Sequence, residues 1–421
     1  MTDSPGDRRA QSPGDGRAER PGDRRAHRPG ERPGPRLENE GRAWRIRSWQ
    51  AARQLLRARE ETAQAGFTAE AIPRSFLRHH PILLSDGPGH DEQRRLVGRF
   101  FAPSVVDADV TPVMHTHADA LIAEAVARGE VLLEDLALHY AVAVTRKVVG
   151  LTHAPLEKMS ARLVRFLRQP PFDLTKPRWG RTNRQWAAAA WNGLLPVIAF
   201  HLRDVRPAVR ERRADPRDDV ISHLIALGCS DSDILVECMT YATAGMITTR
   251  EFIAMACWHL LEDRELRDRF RRGERAERFA ILHEIIRLEP VVGHLFRRVT
   301  SPITVTDRDS EARPEEGDLA DLCIRETNTD PDVMGEQPHA LCPGRPLPKG
   351  VAATGLSFGA GAHRCPGEHL AIAETEVLLT RLLEHDPELV AVPRIDWEEL
   401  VAGYRLRGMR LRFPSRERAD A

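Results

Sequence analysis

Apolar residues recur with the period of an α-helix through most of the chain from about residue 41 onward. Such segments cover 105–129, 133–150, 157–168, 184–210, 218–227, 231–262, 276–288 and 367–384. Short runs typical of strands lie near 44–48, 81–84, 296–305, 320–325 and 405–413. Strands and helices do not alternate as they do in parallel α/β proteins. The pattern therefore predicts a mainly α protein with a minor β region, folded as a single large domain over residues 41–421.

The first forty residues have a different character. An octapeptide that begins at Ser4 recurs from Ser12, from Arg20 and, more weakly, from Arg28. It is rich in proline, glycine and charge and almost free of apolar residues, so it cannot offset the entropy lost on ordering. We expect residues 1–40 to be a disordered tail. The arginine in every repeat leaves open a weak contact with an acidic partner.

The charge balance and the cysteines narrow the classes of function. The 421 residues contain 62 basic and 62 acidic side chains, so no net field recruits nucleic acid or a membrane surface. Six cysteines show no CxxC pair, which is typical of a reducing compartment. Neither a membrane-spanning run nor a secretory signal is visible. We therefore expect a cytoplasmic protein.

The longest periodic segment carries a weak point in its middle. Ser230 begins a capping signal, and apolar periodicity continues to about Leu261. The stretch 243–249 contains Gly245 and several hydroxyl side chains, which loosen the hydrogen bonds of a helix. Such a stretch is either a contact of small residues with a neighbouring helix or a place where the helix opens to bind oxygen and water.

Cys365 stands between a glycine-rich loop and the start of an amphipathic helix that runs from Glu368 to roughly Glu384. The positive end of the helix dipole favours a thiolate at this position. A single thiolate is unsuitable for structural zinc and suits the axial ligand of haem iron. The alternative is a buried structural cysteine in a glycine-rich turn.

The loop resembles the haem-binding signature of the cytochrome P450 family, FxxGxHxCxG. The fixed positions are Phe358, Gly361, His363, Cys365 and Gly367. The resemblance extends over roughly residues 42 to 415. It implies a P450-type domain that holds haem b between the long central helix and the cysteine loop. It also implies that Cys365 is the thiolate ligand of the iron.

The weak point of the central helix is similar to the AGxxT segment of the same family. The resemblance implies that Ala244 and Gly245 line the oxygen groove and that Thr248 hydrogen-bonds the dioxygen bound at the haem. Many members carry an acid immediately before that threonine, whereas this chain has Ile247, which cannot transfer a proton. Glu251 is the nearest acid downstream, so protons would come through water or from the substrate. The change favours an atypical oxidation, such as radical coupling, or the use of peroxide.

Two further motifs match the family at its spacing. Glu284 and Arg287 stand as ExxR, and Arg345 matches the PxR part of PxRF. The resemblance implies a buried ion-pair network of these three side chains that braces the cysteine loop.

The haem propionates require cations and hydrogen-bond donors when they are buried. By resemblance, this role falls to His90 and Arg94 in a DPPxHxxxRR-like segment, to Arg298 in an RxAT-like strand and to His363. Arg297 is the less favoured alternative to Arg298.

The substrate pocket is the least defined part of the site. By resemblance, contacts come from about 60–85, from 165–195, from 242–249 and from the residues after Pro290. Apolar walls near the haem are predicted from Met246, Ile247, Val291, Val292 and Leu295. The stretch 165–195 contains three tryptophans among many arginines, which indicates either an aromatic, cationic lid over the substrate or tryptophans packed between helices.

The resemblance thus implies a haem-thiolate monooxygenase of the soluble bacterial type that oxidises a small organic molecule, most simply in the biosynthesis of a specialised metabolite. The sequence shows no flavin or NAD fingerprint, so a separate ferredoxin and its reductase would supply the electrons. One alternative is an atypical P450 that performs radical coupling or peroxide-driven oxidation. Another is a catalytically silent haem-binding scaffold, against which the intact Cys365 and Thr248 count.

Overall fold

The computed structural model of the protein describes residues 34–66, 81–174 and 176–414. The predicted tail up to residue 33 and the middle of the predicted substrate loop, 67–80, lie outside these ranges.

The described residues form sixteen α-helices, several of which continue into short 3-10 or π-helical turns. The helices are α1 Trp49–Arg57, α2 Pro88–Gly98, α3 Pro103–Val105, α4 Thr111–Arg128, α5 Leu133–Val149, α6 Leu156–Phe166, α7 Asn183–Phe200, α8 Arg206–Ala214, α9 Val220–Ala226, α10 Asp231–Tyr241, α11 Thr248–Glu262, α12 Arg264–Arg272, α13 Arg275–Leu288, α14 Ile324–Asn328, α15 Pro331–Met334 and α16 Glu368–Leu383.

Twelve short strands make up the β region of the described chain. They are β1 Leu37–Asn39, β2 Ala43–Ile46, β3 Thr62–Ala65, β4 Glu130–Leu132, β5 His294–Val299, β6 Val305–Asp307, β7 Ser310–Ala312, β8 Leu319–Cys323, β9 Glu388–Ala391, β10 Arg394–Glu398, β11 Gly403–Arg407 and β12 Arg410–Arg412. The largest sheet has the order β1-β2-β8-β5-β3, and the smaller sheets are β4-β12-β9, β10-β11 and β6-β7. Within the largest sheet only β2 and β8 run parallel.

The mainly α prediction is confirmed, and the core lies among the long helices. α11 packs on α5, and α16 packs on both α4 and α13. Nearly every residue of α11 from Thr249 to Trp258 is buried, including the fully buried Trp258. A helix that is apolar on all sides must lie inside the molecule, so α11 forms the centre of the fold. None of the described helices has the length and hydropathy needed to cross a bilayer.

The folded domain begins earlier than predicted. β1 lies within the predicted tail and pairs antiparallel with β2. Arg36, just before it, donates hydrogen bonds of 2.8 Å to Asp307 Oδ1 and to Asp330 Oδ1, and both of these aspartates are buried. The predicted boundary at residue 41 is therefore wrong, because this arginine finds buried carboxylates that composition alone does not reveal.

A second difference concerns residues 81–84, which form a turn and not a strand. Leu84 N–H donates to Pro81 O at 2.8 Å.

The sequence pattern did not predict α12. This helix consists mostly of arginine and acidic residues, and it buries only Leu266 and Phe270. Its apolar periodicity is therefore weak.

The predicted weak point of the central helix is confirmed. α10 begins with a capping box in which Ser230 and Asp233 exchange hydrogen bonds. Residues 242–247 then form a π-helical turn before α11 begins at Thr248. The Thr248 hydroxyl donates back to Ala244 O, one turn earlier. Single π-turns inside helices are frequent at functional sites because they shift side chains out of the regular α register.

Candidate functional site

A cavity of about 380 Å³ lies between the π-helical turn and the cysteine loop. Its lining includes Ala244 and Gly245 from the turn, Thr248 at the start of α11, and Phe358 and Cys365 from the loop. This volume is within the range of small-molecule sites. Two segments that are far apart in sequence therefore meet at one internal space, as the resemblance implied.

Backbone hydrogen bonds and glycines give the cysteine loop its shape. Cys365 N–H donates to Phe358 O at 2.8 Å and closes the loop. Gly361 has φ +70°, and a Cβ at this residue would lie 2.4 Å from Leu56 O. Only glycine fits there, since any side chain would combine backbone strain with a collision against α1. The Cys365 sulfur is accessible, but the space it faces is the internal cavity.

Burial and the start of α16 act in opposite directions on the pKa of the Cys365 thiol. Burial raises the pKa of the thiol to about 11, although the backbone N–H of Gly367 favours the thiolate. The helix terminus by itself therefore does not hold a thiolate, because desolvation of the charged sulfur outweighs it. A coordinating metal ion removes the proton of such a thiol.

A buried carboxylate shared by two arginines lies behind the loop. Glu284 accepts hydrogen bonds of 2.7 Å from Arg287 Nε and Nη2 and one of 3.1 Å from Arg345 Nε. The side chains of Glu284, Arg287 and Arg345 are 4%, 0% and 9% exposed. The structure thus brings the three predicted residues together in one buried cluster.

Asn328 joins this cluster to the cysteine loop. Its backbone oxygen accepts from Arg287 Nη1 at 2.7 Å, and its side-chain oxygen accepts from Leu356 N–H at 2.6 Å. Its amide nitrogen donates to Ser357 Oγ at 2.8 Å. Leu356 and Ser357 immediately precede Phe358, where the loop begins. The ion pairs therefore fix the point from which the cysteine loop departs.

Two guanidinium groups, the buried one of Arg297 and the half-buried one of Arg94, line the cavity without a matching carboxylate. Arg297 donates to Gln64 Oε1, and Arg94 donates to Arg364 O. Within the described ranges neither side chain has a carboxylate as hydrogen-bond partner. Burial lowers the pKa of Arg297 to about 10, which shows the cost of holding this charge in the interior. An anionic group bound in the cavity, such as a haem propionate, would compensate it.

The structure separates the two arginines of β5. Successive side chains of a strand point to opposite faces of the sheet, so only one of Arg297 and Arg298 can face the cavity. The structure places Arg297 in the cavity wall and turns Arg298 toward Gly317 O, 3.3 Å away. This placement favours Arg297, the alternative, as the arginine that would bind a propionate.

The two predicted histidines lie against each other. His363 lines the cavity, and its Nε2 is 2.9 Å from Asp86 Oδ1. The ring of His90 stacks on it with centroids 4.3 Å apart. His90 lines a smaller adjoining pocket and not the main cavity, and burial next to His363 lowers its pKa to about 4. Of these polar groups, His363 and the two arginines line the main cavity, whereas His90 does not.

Of the five predicted apolar wall residues, Val291, Val292 and Leu295 line the cavity, whereas Met246 and Ile247 do not. The last two are buried in the core because the π-helical turn directs them away from the cavity. Phe358 and Gly367 line the cavity as expected, and Gly361 supports the loop from outside the lining.

The predicted aromatic lid does not reach the cavity. Trp179 packs on Trp186 at 5.3 Å between ring centroids, and the Arg181 guanidinium lies over Phe172 and over Trp186. Of the described residues in 165–195, only Phe166 is part of the lining. Trp179 and Trp186 therefore fit the packed alternative, whereas Trp191 is exposed.

Several lining residues were not predicted. They are contributed by α5, by α16 and by the turn after β10, and include Thr145, Val148, Val149, Glu374, Leu400 and Val401. For Glu374 the sequence does contain a signal, because this residue is a charged one within the apolar face of α16.

Glu251 is not available to the cavity. Its Oε2 accepts from Leu406 N–H at 2.7 Å, and its Oε1 accepts from Arg250 Nε at 2.7 Å and from Arg407 Nη1 at 2.9 Å. The carboxylate ties α11 to β11 and has a structural role.

Cys323 lies in a separate polar cluster on the large sheet. The ligand atoms of His294, Asp321 and Cys323 lie within 4.8 Å of one another, and His294 Nδ1 is 2.6 Å from Asp321 Oδ1. None of the three lines the cavity. Cys365 is thus the cysteine that faces the internal space, and the cavity fits haem by its size, its sulfur and its unpaired cations.

Comparison with known proteins agrees with this geometry. The family model described as Cytochrome P450 matches residues 279–385, which contain the ion-pair cluster and the cysteine loop. Cytochrome P450 130 of Mycobacterium tuberculosis is 28% identical over 329 residues, 75% of this chain and 74% of the relative. The cyclomarin C epoxidase CymV of Salinispora arenicola is 27% identical over 340 residues, 79% and 80% of the two chains.

The fold is shared with solved structures. CYP109E1 from Bacillus megaterium, solved with testosterone, superposes with a TM-score of 0.73 over 90% of this chain and 94% of that structure, at 18% identity. The chain is supported as a bacterial cytochrome P450 by its family-model match, its curated relatives and its structural neighbours. It is therefore an oxidoreductase of the monooxygenase type whose cofactor is haem with a cysteine thiolate ligand.

Replacement of Glu284 by Gln tests the role of the ion-pair cluster. The change leaves two buried guanidinium groups without a counter-charge, and we expect the free energy of unfolding to fall by about 3–5 kcal/mol. Haem content per purified chain should fall with it, since the loop departs from this cluster. The measurements are the Soret absorbance per protein and the denaturation midpoint. Glu277→Gln on the same helix is the control, because its pair with Arg269 is exposed and contributes about 0–1 kcal/mol. Equal effects of the two changes would contradict the bracing role.

Replacement of Arg297 by Gln, compared with Arg298→Gln, tests which arginine binds the propionate. Loss of a charge-assisted hydrogen bond weakens binding by about 1.5–3 kcal/mol. Haem transfer to an excess of a haem-accepting protein should therefore be about tenfold faster or more in Arg297→Gln. Arg298→Gln should release haem at the rate of the unchanged protein. Faster release from Arg298→Gln alone would restore the original assignment.

Proposed function

We propose that this protein is a haem-thiolate monooxygenase that oxidises a small, largely apolar organic molecule in the biosynthesis of a specialised metabolite. Cys365 would hold the iron, and electrons would come from a separate ferredoxin and its reductase. The observation that carries the proposal is the position of Cys365 in the wall of a cavity that also contains Ala244, Gly245 and Thr248.

Haem, when bound, supplies the activation of dioxygen for insertion into a substrate bond. The residues of the π-helical turn provide the space and the hydrogen bonds around that reaction. Thr145 Oγ1 would be 3.0 Å from a Cβ at position 245, so glycine keeps this part of the helix open. The Thr248 hydroxyl donates its own hydrogen to Ala244 O and can accept a hydrogen bond from the cavity.

The apolar residues that line the cavity indicate the class of substrate. Once Arg94, Arg297 and His363 bind propionates, the remaining wall is mostly aliphatic and aromatic, with Val291, Val292 and similar residues. A pocket of this kind favours a lipophilic molecule and provides little binding for a charged one. The relative CymV, described as an epoxidase of cyclomarin C, supports a role in specialised metabolism.

The electron-transfer surface would lie near the cysteine loop. Arg364 is exposed beside Cys365, but its guanidinium donates to Glu368 Oε2 at 2.7 Å and 3.0 Å. An acidic ferredoxin would therefore have to compete with Glu368 for this arginine.

Ile247 favours a second candidate, peroxide-driven oxidation or radical coupling. The position where many family members carry an acid is buried and apolar here. An enzyme that receives hydrogen peroxide needs fewer protons from the protein than one that reduces dioxygen.

Turnover of a lipophilic test substrate distinguishes the two candidates. A panel that includes testosterone, a fatty acid and a cyclic peptide would first be screened by the haem spin-state shift on binding. With the best binder we expect oxidised product that requires ferredoxin, its reductase and dioxygen. Thr248→Ala should lower the product formed per reductant by about tenfold or more, and Thr248→Ser should restore most of it. Product formed at the same rate with hydrogen peroxide alone, and unaffected by Thr248→Ala, would favour the second candidate.

A further inference from the structure

Three side chains that can bind a metal ion converge on one face of the large sheet. His294 of β5 lies directly opposite Cys323 of β8 in the antiparallel pair of these strands. Asp321 comes two residues before Cys323, and side chains two residues apart in a strand point to the same face. The potential ligand atoms of the three residues lie within 4.8 Å of one another. The register of the sheet therefore holds a nitrogen, an oxygen and a sulfur ligand together.

The cluster is enclosed and has a small space of its own. His294, Asp321 and Cys323 are 4%, 3% and 0% exposed. A cavity of about 30 Å³, distinct from the large one, is lined by His294, Asp321, Phe296 and Trp397 among others. The ring of Trp397 meets the imidazole edge-on with centroids 5.7 Å apart, so aromatic packing fixes the orientation of that ring. A space of this size can hold a water molecule or a metal ion.

The combination of ligands favours zinc over the other common divalent cations. Calcium and magnesium take oxygen ligands, whereas zinc binds cysteine sulfur, histidine nitrogen and carboxylate oxygen at about 2.0–2.3 Å in a tetrahedron. Two ligand atoms of such a tetrahedron are about 3.3–3.5 Å apart. His294 Nδ1 and Asp321 Oδ1 are 2.6 Å apart as a hydrogen-bonded pair. A separation of less than about 1 Å would thus convert this pair into two ligands.

The charge around the cluster is compatible with a bound cation. Arg45 of β2 stands opposite Asp321 in the parallel pair β2–β8 and interacts with its charge. The Nε of this arginine also donates to Glu40 Oε1 at 2.9 Å, outside the cluster. A thiolate and a carboxylate together balance the two charges of a zinc ion. Arg45 would therefore lie beside a neutral site.

We propose that His294, Asp321 and Cys323 form a structural zinc site, with a water molecule in the small cavity as the fourth ligand. Binding of the ion displaces the proton of the Cys323 thiol to solvent. The ion ties β5 to β8. Leu295 and Arg297, which flank the next positions of β5, line the large cavity. The site thus lies outside that cavity and stabilises the sheet that forms part of its wall.

The zinc content of the haem-loaded full-length protein tests the site. The protein is treated with a chelator, equilibrated with zinc ions alone and passed through gel filtration, and its metals are measured by elemental mass spectrometry. We expect one zinc ion per chain. Asp321→Asn and Cys323→Ala should weaken zinc binding by about a hundredfold or more, since even loss of an outer partner of a ligand costs about 10–100-fold. The control is Cys342→Ala, which removes an exposed thiol and should retain the zinc.

X-ray absorption at the zinc edge identifies the ligands without any substitution, and so decides the case if Cys323→Ala fails to fold. We expect one sulfur at about 2.3 Å and nitrogen or oxygen at about 2.0–2.2 Å, in the unchanged protein and in Cys342→Ala alike. Zinc without a sulfur neighbour, or zinc retained equally by a folded Cys323→Ala, would overturn the proposal. Zinc below one ion per chain that is also lost from Cys342→Ala would mean an adventitious ion only and would overturn it as well.

Discussion

The carboxylate of Glu284 is almost completely buried, and the placement of the cysteine loop depends on it. Two guanidinium groups from distant parts of the chain share this one carboxylate. Removal of any partner leaves an uncompensated charge in the interior, so the cluster persists only as a whole. Through Asn328 it fixes the backbone at Leu356, and from there the glycine loop carries Cys365 into the cavity. A sulfur ligand can be placed accurately only because its supports are rigid.

The central helix faces the cysteine loop across the cavity, and its regular α-helical structure is interrupted there by a π-helical turn. The π-helical turn at 242–247 moves Met246 and Ile247 into the core and leaves Ala244, Gly245 and Thr248 facing the cavity. The same turn removes position 247 from any part in proton transfer. The next threonine, Thr249, lines the same cavity as Glu374 of α16.

Patterns in the sequence predicted those features of the fold that depend on residues close together along the chain. The long helices, the weak point and the cysteine loop follow from periodicity, capping and glycine placement along the chain. The choice between Arg297 and Arg298, the stacking of His90 beneath His363 and the position of Trp179 and its neighbours depend on which face of an element meets the cavity. Those outcomes are set by how the segments pack in the folded molecule, and His90 and His363, for example, come from opposite ends of the folded chain. The presence of Thr249 and Glu374 in one cavity wall is of the same kind, because α11 and α16 meet only in the folded molecule.

The most direct test of the account is the carbon monoxide difference spectrum of the reduced, haem-loaded protein, recorded for the unchanged chain, Cys365→Ala and Cys323→Ala. Thiolate-ligated haem gives the long-wavelength Soret band for which the P450 family is named. We predict this band in the unchanged protein and in Cys323→Ala, and its loss in Cys365→Ala. A band that survives in Cys365→Ala, or that disappears in Cys323→Ala while the protein remains folded, would contradict the assignment of the iron ligand and with it the proposed site.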